Sequence, residues 1–136
     1  MGKSMIGVPL PGFAEKCRGV AAEGAVLLKN EEKVLPLGGG EKISIFGRSQ
    51  IEYYRSGTGS GGAVNVEYVS NILDALKAND SVEVNTEVAD AYQEWLKSNP
   101  FDNGGGGWAA EPWNQKEMPI SLPFAQKAAE KSGKAL

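Results

Sequence analysis

The chain has 136 residues, of which 41% are hydrophobic and 23% charged; the composition is globular, and at about 100–150 residues per domain the length leaves room for one domain. Fourteen Lys and Arg against 17 Asp and Glu give a net charge of −3 with no cluster of one sign, which excludes a dedicated nucleic-acid binder. With no His and one Cys, disulfide frameworks, His-ligated zinc, Ser-His-Asp triads and Cys-His dyads are excluded, so acid–base chemistry falls to carboxylates, Lys or Tyr.

No apolar run reaches the roughly 18 residues of a membrane span. Pro9 and Pro11 interrupt the first residues before the apolar core of an export signal forms. No membrane partner is expected, and the expected location is cytoplasmic.

Between residues 12 and 30, Phe13, Cys17, Val20, Ala21, Gly24, Leu27 and Leu28 step by three and four, with charged residues elsewhere on the wheel. The spacing predicts one amphipathic helix. Cys17 is expected there as a buried small hydrophobe rather than a reactive thiol. Gly24 costs helix propensity, so close packing against another backbone is the expected reason for it. Pro36 and the glycines at 38–40 end the segment.

Residues 43–47, Ile-Ser-Ile-Phe-Gly, read as a buried strand. A second helix is predicted over 65–78, capped by Asn65 and carrying Val69, Ile72, Leu73 and Leu76 as its stripe. Val82 to Val84 make a short strand, and Thr86 is expected to cap a third helix through Tyr92, Trp95 and Leu96. Residues 99–121 combine Pro100, Pro112 and Pro119 with glycines 104–107, and read as a long loop. It carries Phe101, Trp108 and Trp113, aromatics that disordered tracts usually lack. Ser121 caps a last predicted helix over 122–132, Gly133 stops it, and Lys134 to Leu136 read as the opening of a further strand.

Strand, helices and strand in this order begin an α/β layered sheet, yet one good strand and two fragments do not cover both faces of one. The expected fold is α/β: a partial α/β/α sandwich over 1–136, truncated, with a glycine-rich loop over 48–65, which the family resemblance given below makes an active-site loop, and the aromatic and glycine-rich loop over 99–121. Self-association is expected of so incomplete a sheet.

The loop Ser56-Gly57-Thr58-Gly59-Ser60-Gly61-Gly62 formally contains G-x-G-x-x-G. A dinucleotide fingerprint needs its first glycine directly after the strand, whereas Arg48 to Ser56 intervene, and no P-loop Gly-Lys-Ser/Thr follows. What survives is a loop whose glycines let amides approach a ligand and whose Thr58 and Ser60 hydroxyls donate and accept. That suits a polar, uncharged ligand; the same glycines also suit a merely flexible surface loop. The flanking Arg48, Gln50, Glu52, Tyr53, Tyr54 and Arg55 read equally as a cleft wall or a solvated edge. Glu31, Glu32, Glu111 and Glu117 form no recognisable catalytic pair. Trp108 and Trp113 are possible sugar-stacking faces, or plugs holding the loop to its own domain.

Three stretches taken together carry a family resemblance: AAEGAVLLKNEEKVLPL at 21–37, ISIFG at 43–47, and IEYYRSGTGSGGAVNVEYVSNILDALKA at 51–78. With NPFDNGGGGWAAEPWNQKEMPIS at 99–121, the chain resembles the N-terminal part of the α/β sandwich domain of glycoside hydrolase family 3, the β-glucosidase and β-xylosidase family. The resemblance implies a fragment of a retaining, exo-acting enzyme that hydrolyses terminal β-linked sugars. In that family the Asp nucleophile lies on a separate barrel domain and the acid/base Glu in the sandwich domain. Neither has a matching position in this chain, so no catalytic residue is assigned and the chain alone is expected to be inactive.

Ser60 matches a serine that reaches the sugar site from the sandwich domain, with Thr58 and Gly59 shaping its turn. A small carbohydrate and the missing remainder of sandwich and barrel are the implied partners, and no metal or cofactor is implied. The start of the chain just ahead of the 21–37 stretch resembles members in which the sandwich precedes the barrel. A non-catalytic carbohydrate-binding or interaction module is the alternative reading.

Overall fold

In the computed structural model the described residues are 10–53, 68–107 and 110–136. They divide into two compact units, one over 10–36 and one over the described residues from 37 onward.

The first unit contains helix α1, Phe13–Glu23, entered through Gly12 at φ 75°. The helix stops short of the expected residue 30. Gly24 is its C-cap, with its N–H donating to the Val20 carbonyl at 3.0 Å, and glycine and Val26 weaken any continuation toward Leu28. Among the described residues a Cβ at position 24 would meet only the Val20 and Ala21 carbonyls, at 3.5 and 3.6 Å, so no close approach to another backbone is seen among them. No residue of α1 is buried, and Cys17 is exposed rather than core. Asn30 then closes a turn with both amide atoms, donating to the Leu35 carbonyl and accepting the Leu35 N–H.

The second unit is built on a three-stranded parallel sheet: β1 Glu41–Ser44, β2 Val82–Val84 and β3 Lys134–Ala135, in the order β2-β1-β3. Register pairs Ile43 with Val84 on one side and Ser44 with Ala135 on the other. The strand starts two residues before the expected Ile43 because Glu41 and Lys42 pair with Val82 and Glu83. Beyond Ser44 the backbone still bonds to β3's exit: Leu136 donates to the Ser44 carbonyl at 2.9 Å and Phe46 to the Leu136 carbonyl at 2.8 Å.

Side chains alternate across a strand, and the two faces of β1 feed two cores. Ile43 and Ile45 pack with Leu73 of α2, Ile72–Lys77, together with Val84 and Ala89. Phe46 joins Val88 and Tyr92 of α3, Thr86–Ser98, and Ala128 and Phe124 of α4, Leu122–Lys131. The Phe46 and Phe124 rings meet edge to face at 6.5 Å, a favoured aromatic geometry.

Helix α2 begins at Ile72, so Asn71 supplies the cap, its side chain accepting the Asp74 N–H at 2.7 Å. Asn65 lies outside the described residues. Val69 belongs to no helix and is half exposed. Helix α3 is capped by Asn85 rather than Thr86, and without a side-chain bond, because the Asn85 amide is turned inward to the Ser44 hydroxyl at 2.9 Å. Helix α4 follows its signals: Ser121 caps it by accepting the Phe124 N–H, and a proline stands in its first turn. No helix of the described residues is long and apolar enough to cross a membrane.

Candidate functional site

Parallel strands place all their carboxyl ends on one edge, and ligands of open α/β sheets bind there, where the strand order reverses. Here the chain leaves β1 for β2 on one side and returns to β3 on the other, so the reversal falls at the carboxyl end of β1. The residues leaving that end are Gly47, at φ 91°, and a single 3-10 turn over Arg48–Gln50. The φ of Gly47 lies where side chains are disfavoured. The glycine-rich sequence begins further along the chain, at Gly57.

Arg48 is 3% exposed and ties this turn to the long loop. Its guanidinium donates to the Lys116 carbonyl at 2.7 Å and the Asn99 carbonyl at 3.1 Å, and pairs with the Glu52 carboxylate. Its carbon lies 5.5 Å from the centre of the Trp95 ring, within cation–π range. Its backbone N–H is received by both Glu117 carboxylate oxygens, at 3.1 and 3.2 Å. Gln50, 1% exposed, donates to the carbonyls of Ile45 and Gly47. Arg48 and Gln50 are therefore internal braces of the turn rather than a solvated edge, while Tyr53 is exposed.

Tyr92 reaches the same turn from α3, its hydroxyl accepting the Gly47 N–H at 2.8 Å. Burial raises its pKa, the Gly47 bond opposes this, and the nearby Glu117 charge raises it further.

The described residues of 99–121 form no helix or strand, as the prolines and glycines imply. The two ends of the loop are joined. Lys116 donates its ammonium to the Asn99 side chain at 2.7 Å, and Gln115 exchanges two bonds with the Asp102 backbone at 2.8 and 2.9 Å. Trp113 stands 91% exposed, so it does not plug the loop onto its domain. Trp108 lies outside the described residues, as do Thr58, Gly59 and Ser60. Among the described residues no three His, Cys, Asp or Glu side chains gather as metal ligands.

The sequence-derived candidates do not include Glu117 as a tie, Asn99 as a loop stem or Tyr92 as a partner of Gly47. Nothing local marks these roles, because each is set by a residue at least 17 positions away.

The pattern of the glycosyl hydrolase family 3 C-terminal domain matches residues 25–132. The chain belongs to glycoside hydrolase family 3. It is 45% identical over 124 residues to a β-glucosidase of Ruminococcus albus, covering 91% of this chain and 13% of that protein. β-Glucosidase A of Butyrivibrio fibrisolvens is 36% identical over 77 residues, 56% of this chain and 9% of that one. Among solved structures, a β-glucosidase from Paenibacillus barengoltzii superposes with a TM-score of 0.89 at 62% identity, covering 98% of this chain and 14% of that one. β-Glucosidase 3B from Thermotoga neapolitana, in complex with α-D-glucose, superposes with a TM-score of 0.74 at 32% identity, covering 90% and 17%.

The chain thus spans 9–17% of the length of these family members. The α/β class and the family expected from the 21–37, 43–47 and 51–78 stretches both hold.

Proposed function

We propose that this chain forms one wall of the sugar site of a retaining, exo-acting β-glycosidase, β-glucosidase-like in its substrate, and supplies binding contacts rather than the reacting carboxylates. The observation that carries this reading is position. Gly47 and the Arg48–Gln50 turn, which precede the glycine-rich sequence in the chain, leave the carboxyl end of the central strand, where the strand order reverses. The glucose complex of the family member from Thermotoga neapolitana supports a sugar as the ligand.

Retention of configuration needs two carboxyl groups about 5–5.5 Å apart, one attacking the anomeric carbon and one protonating the leaving oxygen before activating water. The family resemblance assigns both to parts of the enzyme with no matching position in 1–136. Two carboxylates at the β1 exit already have structural duties, Glu52 pairing with the Arg48 guanidinium and Glu117 receiving the Arg48 N–H. In this reading Ser60 and Thr58 offer hydroxyls to the sugar, Gly59 shapes their turn, and the exposed face of Trp113, with Trp108, stacks on a ring. Each net hydrogen bond contributes about 1 kcal/mol, far below the roughly 8–23 kcal/mol of an enzymic rate enhancement.

The test is hydrolysis of an aryl β-glucoside by the isolated chain, by the full polypeptide that contains it, and by that polypeptide carrying Ser60→Ala. We expect no turnover from the isolated chain, turnover from the full polypeptide, and a loss of about tenfold in kcat/KM on Ser60→Ala, the equivalent of about 1.4 kcal/mol. Turnover by the isolated chain overturns the proposal. Glucose binding by a full polypeptide without turnover favours a non-catalytic carbohydrate-binding module.

A further inference from the structure

One buried guanidinium holds three separate pieces of chain at the carboxyl end of β1. Its Nη1 donates to Lys116 and its Nη2 to Asn99, one in the later part and one at the start of the long loop, while Nη2 also meets Glu52. We propose that Arg48 is a positioning residue: it sets the long loop at a fixed height above the β1 exit, so that the loop's exposed face, Trp113 included, serves as a sugar-contacting wall. This rests on the functional reading above.

The arrangement is an expensive one for a folded chain. Burying a guanidinium is costly, and a well-packed apolar side chain in its place is often as stable or more so. Here the charge is 3% exposed and its Nε has no hydrogen-bond partner among the described residues. What Arg supplies that an apolar residue does not is a planar fork with donors at fixed spacing. This fork is used on two backbone carbonyls of the loop, Asn99 at its start and Lys116 in its later part.

The loop needs little help to stay closed. Lys116 already bonds Asn99, and Gln115 already bonds Asp102. Arg48 adds what those rungs lack, a fixed placement of the closed loop relative to β1, with the Trp95 ring 5.5 Å from the guanidinium and Glu117 held on the Arg48 backbone. Misplacement of binding groups by as little as about 1 Å is enough to degrade a site severely.

The experiment uses the full polypeptide and compares wild type with Arg48→Lys, which keeps charge and loses the fork, Arg48→Met, which keeps length alone, and Gln115→Ala, which cuts a rung of the same loop. For an aryl β-glucoside we expect KM to rise about tenfold in Arg48→Lys and more in Arg48→Met, with kcat of the folded protein within about twofold. Gln115→Ala should raise KM about threefold with an unchanged melting temperature. A folded Arg48→Lys with wild-type KM overturns the inference. Should both Arg48 variants fail to fold, a wild-type KM in Gln115→Ala overturns it. A wild type without β-glucosidase turnover overturns the underlying reading and this inference with it, whereas an active wild type with unmoved KM in the variants overturns this inference alone.

Discussion

The hydroxyls of Ser44 on β1 and Ser132 at the exit of α4 stand 2.5 Å apart inside the second unit. Ser132 donates to the Ala128 carbonyl at 2.8 Å, so the proton between the two serines belongs to Ser44, which in turn accepts the Asn85 amide at 2.9 Å. One run of hydrogen bonds thereby joins the ends of β2, β1 and α4. Ser44 is 1% and Asn85 2% exposed, so removing the link leaves a buried amide without its acceptor. Ser44→Ala is expected to lower stability by about 1–3 kcal/mol, read from the urea midpoint of the chain. A loss below about 0.5 kcal/mol, the size of an ordinary surface change, would show that water replaces the link.

Tyr92 and Gly47 form the second internal tie. Phenylalanine at 92 keeps the ring in its core with Val88 and Ala128 but strands the Gly47 N–H, so Tyr92→Phe should cost about 1–3 kcal/mol. Burial of the Tyr92 ring also has a pH signature, which the Gly47 bond opposes. Because burial holds the folded pKa above the ordinary value of 10.0, the stabilisation is complete below pH 10 and is lost as pH rises through the folded value. A phenolate absorbance titration should show one tyrosine ionising later than the rest, and only together with unfolding; Tyr92→Phe should remove that late step. Simultaneous titration of all the tyrosines would refute the assignment.

How far the sequence exposes this fold depends on whether an element is set by its neighbours in the chain or by partners far along it. Helix α4 is legible because Ser121, the proline after it and Gly133 are local signals that agree. Two asparagines precede the α2 stripe, and Asn71 rather than Asn65 is the one that meets Asp74. The Glu41 start of β1 is invisible without β2, since an isolated strand has no register. Leu27 and Leu28 continue the three-and-four spacing of α1, but Gly24 ends the helix before them, so periodicity overran a local breaker. In the site, the glycine-rich loop and the long loop are plain from composition. The clamp between them is not, since the groups that bury Arg48 come from Asn99 and Lys116, 51 and 68 residues away.

Glu87, at the start of α3, meets Lys131 and, at 2.9 Å, Lys127, both from α4. The two ammonium groups, Lys131 foremost, lower its pKa from 4.5 to about 2. The folded value lies below the unfolded one, so the contribution is present above about pH 4.5 and is lost as pH falls through about 2. Glu87 is largely exposed and salt screens such pairs. The expected signature is therefore a melting temperature that falls more steeply with acid in wild type than in Glu87→Gln, with the gap narrowing in high salt. Parallel curves for the two proteins over this range would exclude the α3–α4 pair as a source of acid sensitivity.

The two sheet edges among the described residues are β2 and β3, and β3 carries the exposed Leu136 at its end, with Leu122 and Ile120 also exposed. A groove beside β3 is lined by Phe46, Ala125, Ala129 and Lys134. In the first unit Val26, Leu27 and Leu28 are exposed in succession. Unpaired strand edges and apolar patches of this kind drive association, and a net charge of −3 opposes it only weakly. Sedimentation of the isolated chain should show mass rising with concentration in the micromolar range, and Leu136→Lys, which places a charge beside the β3 edge, should shift the equilibrium toward monomer. Monomer throughout, in both proteins, would mean that these exposed side chains are too dispersed to act as a surface. Association unchanged by Leu136→Lys would move its origin away from β3, to the apolar run of the first unit.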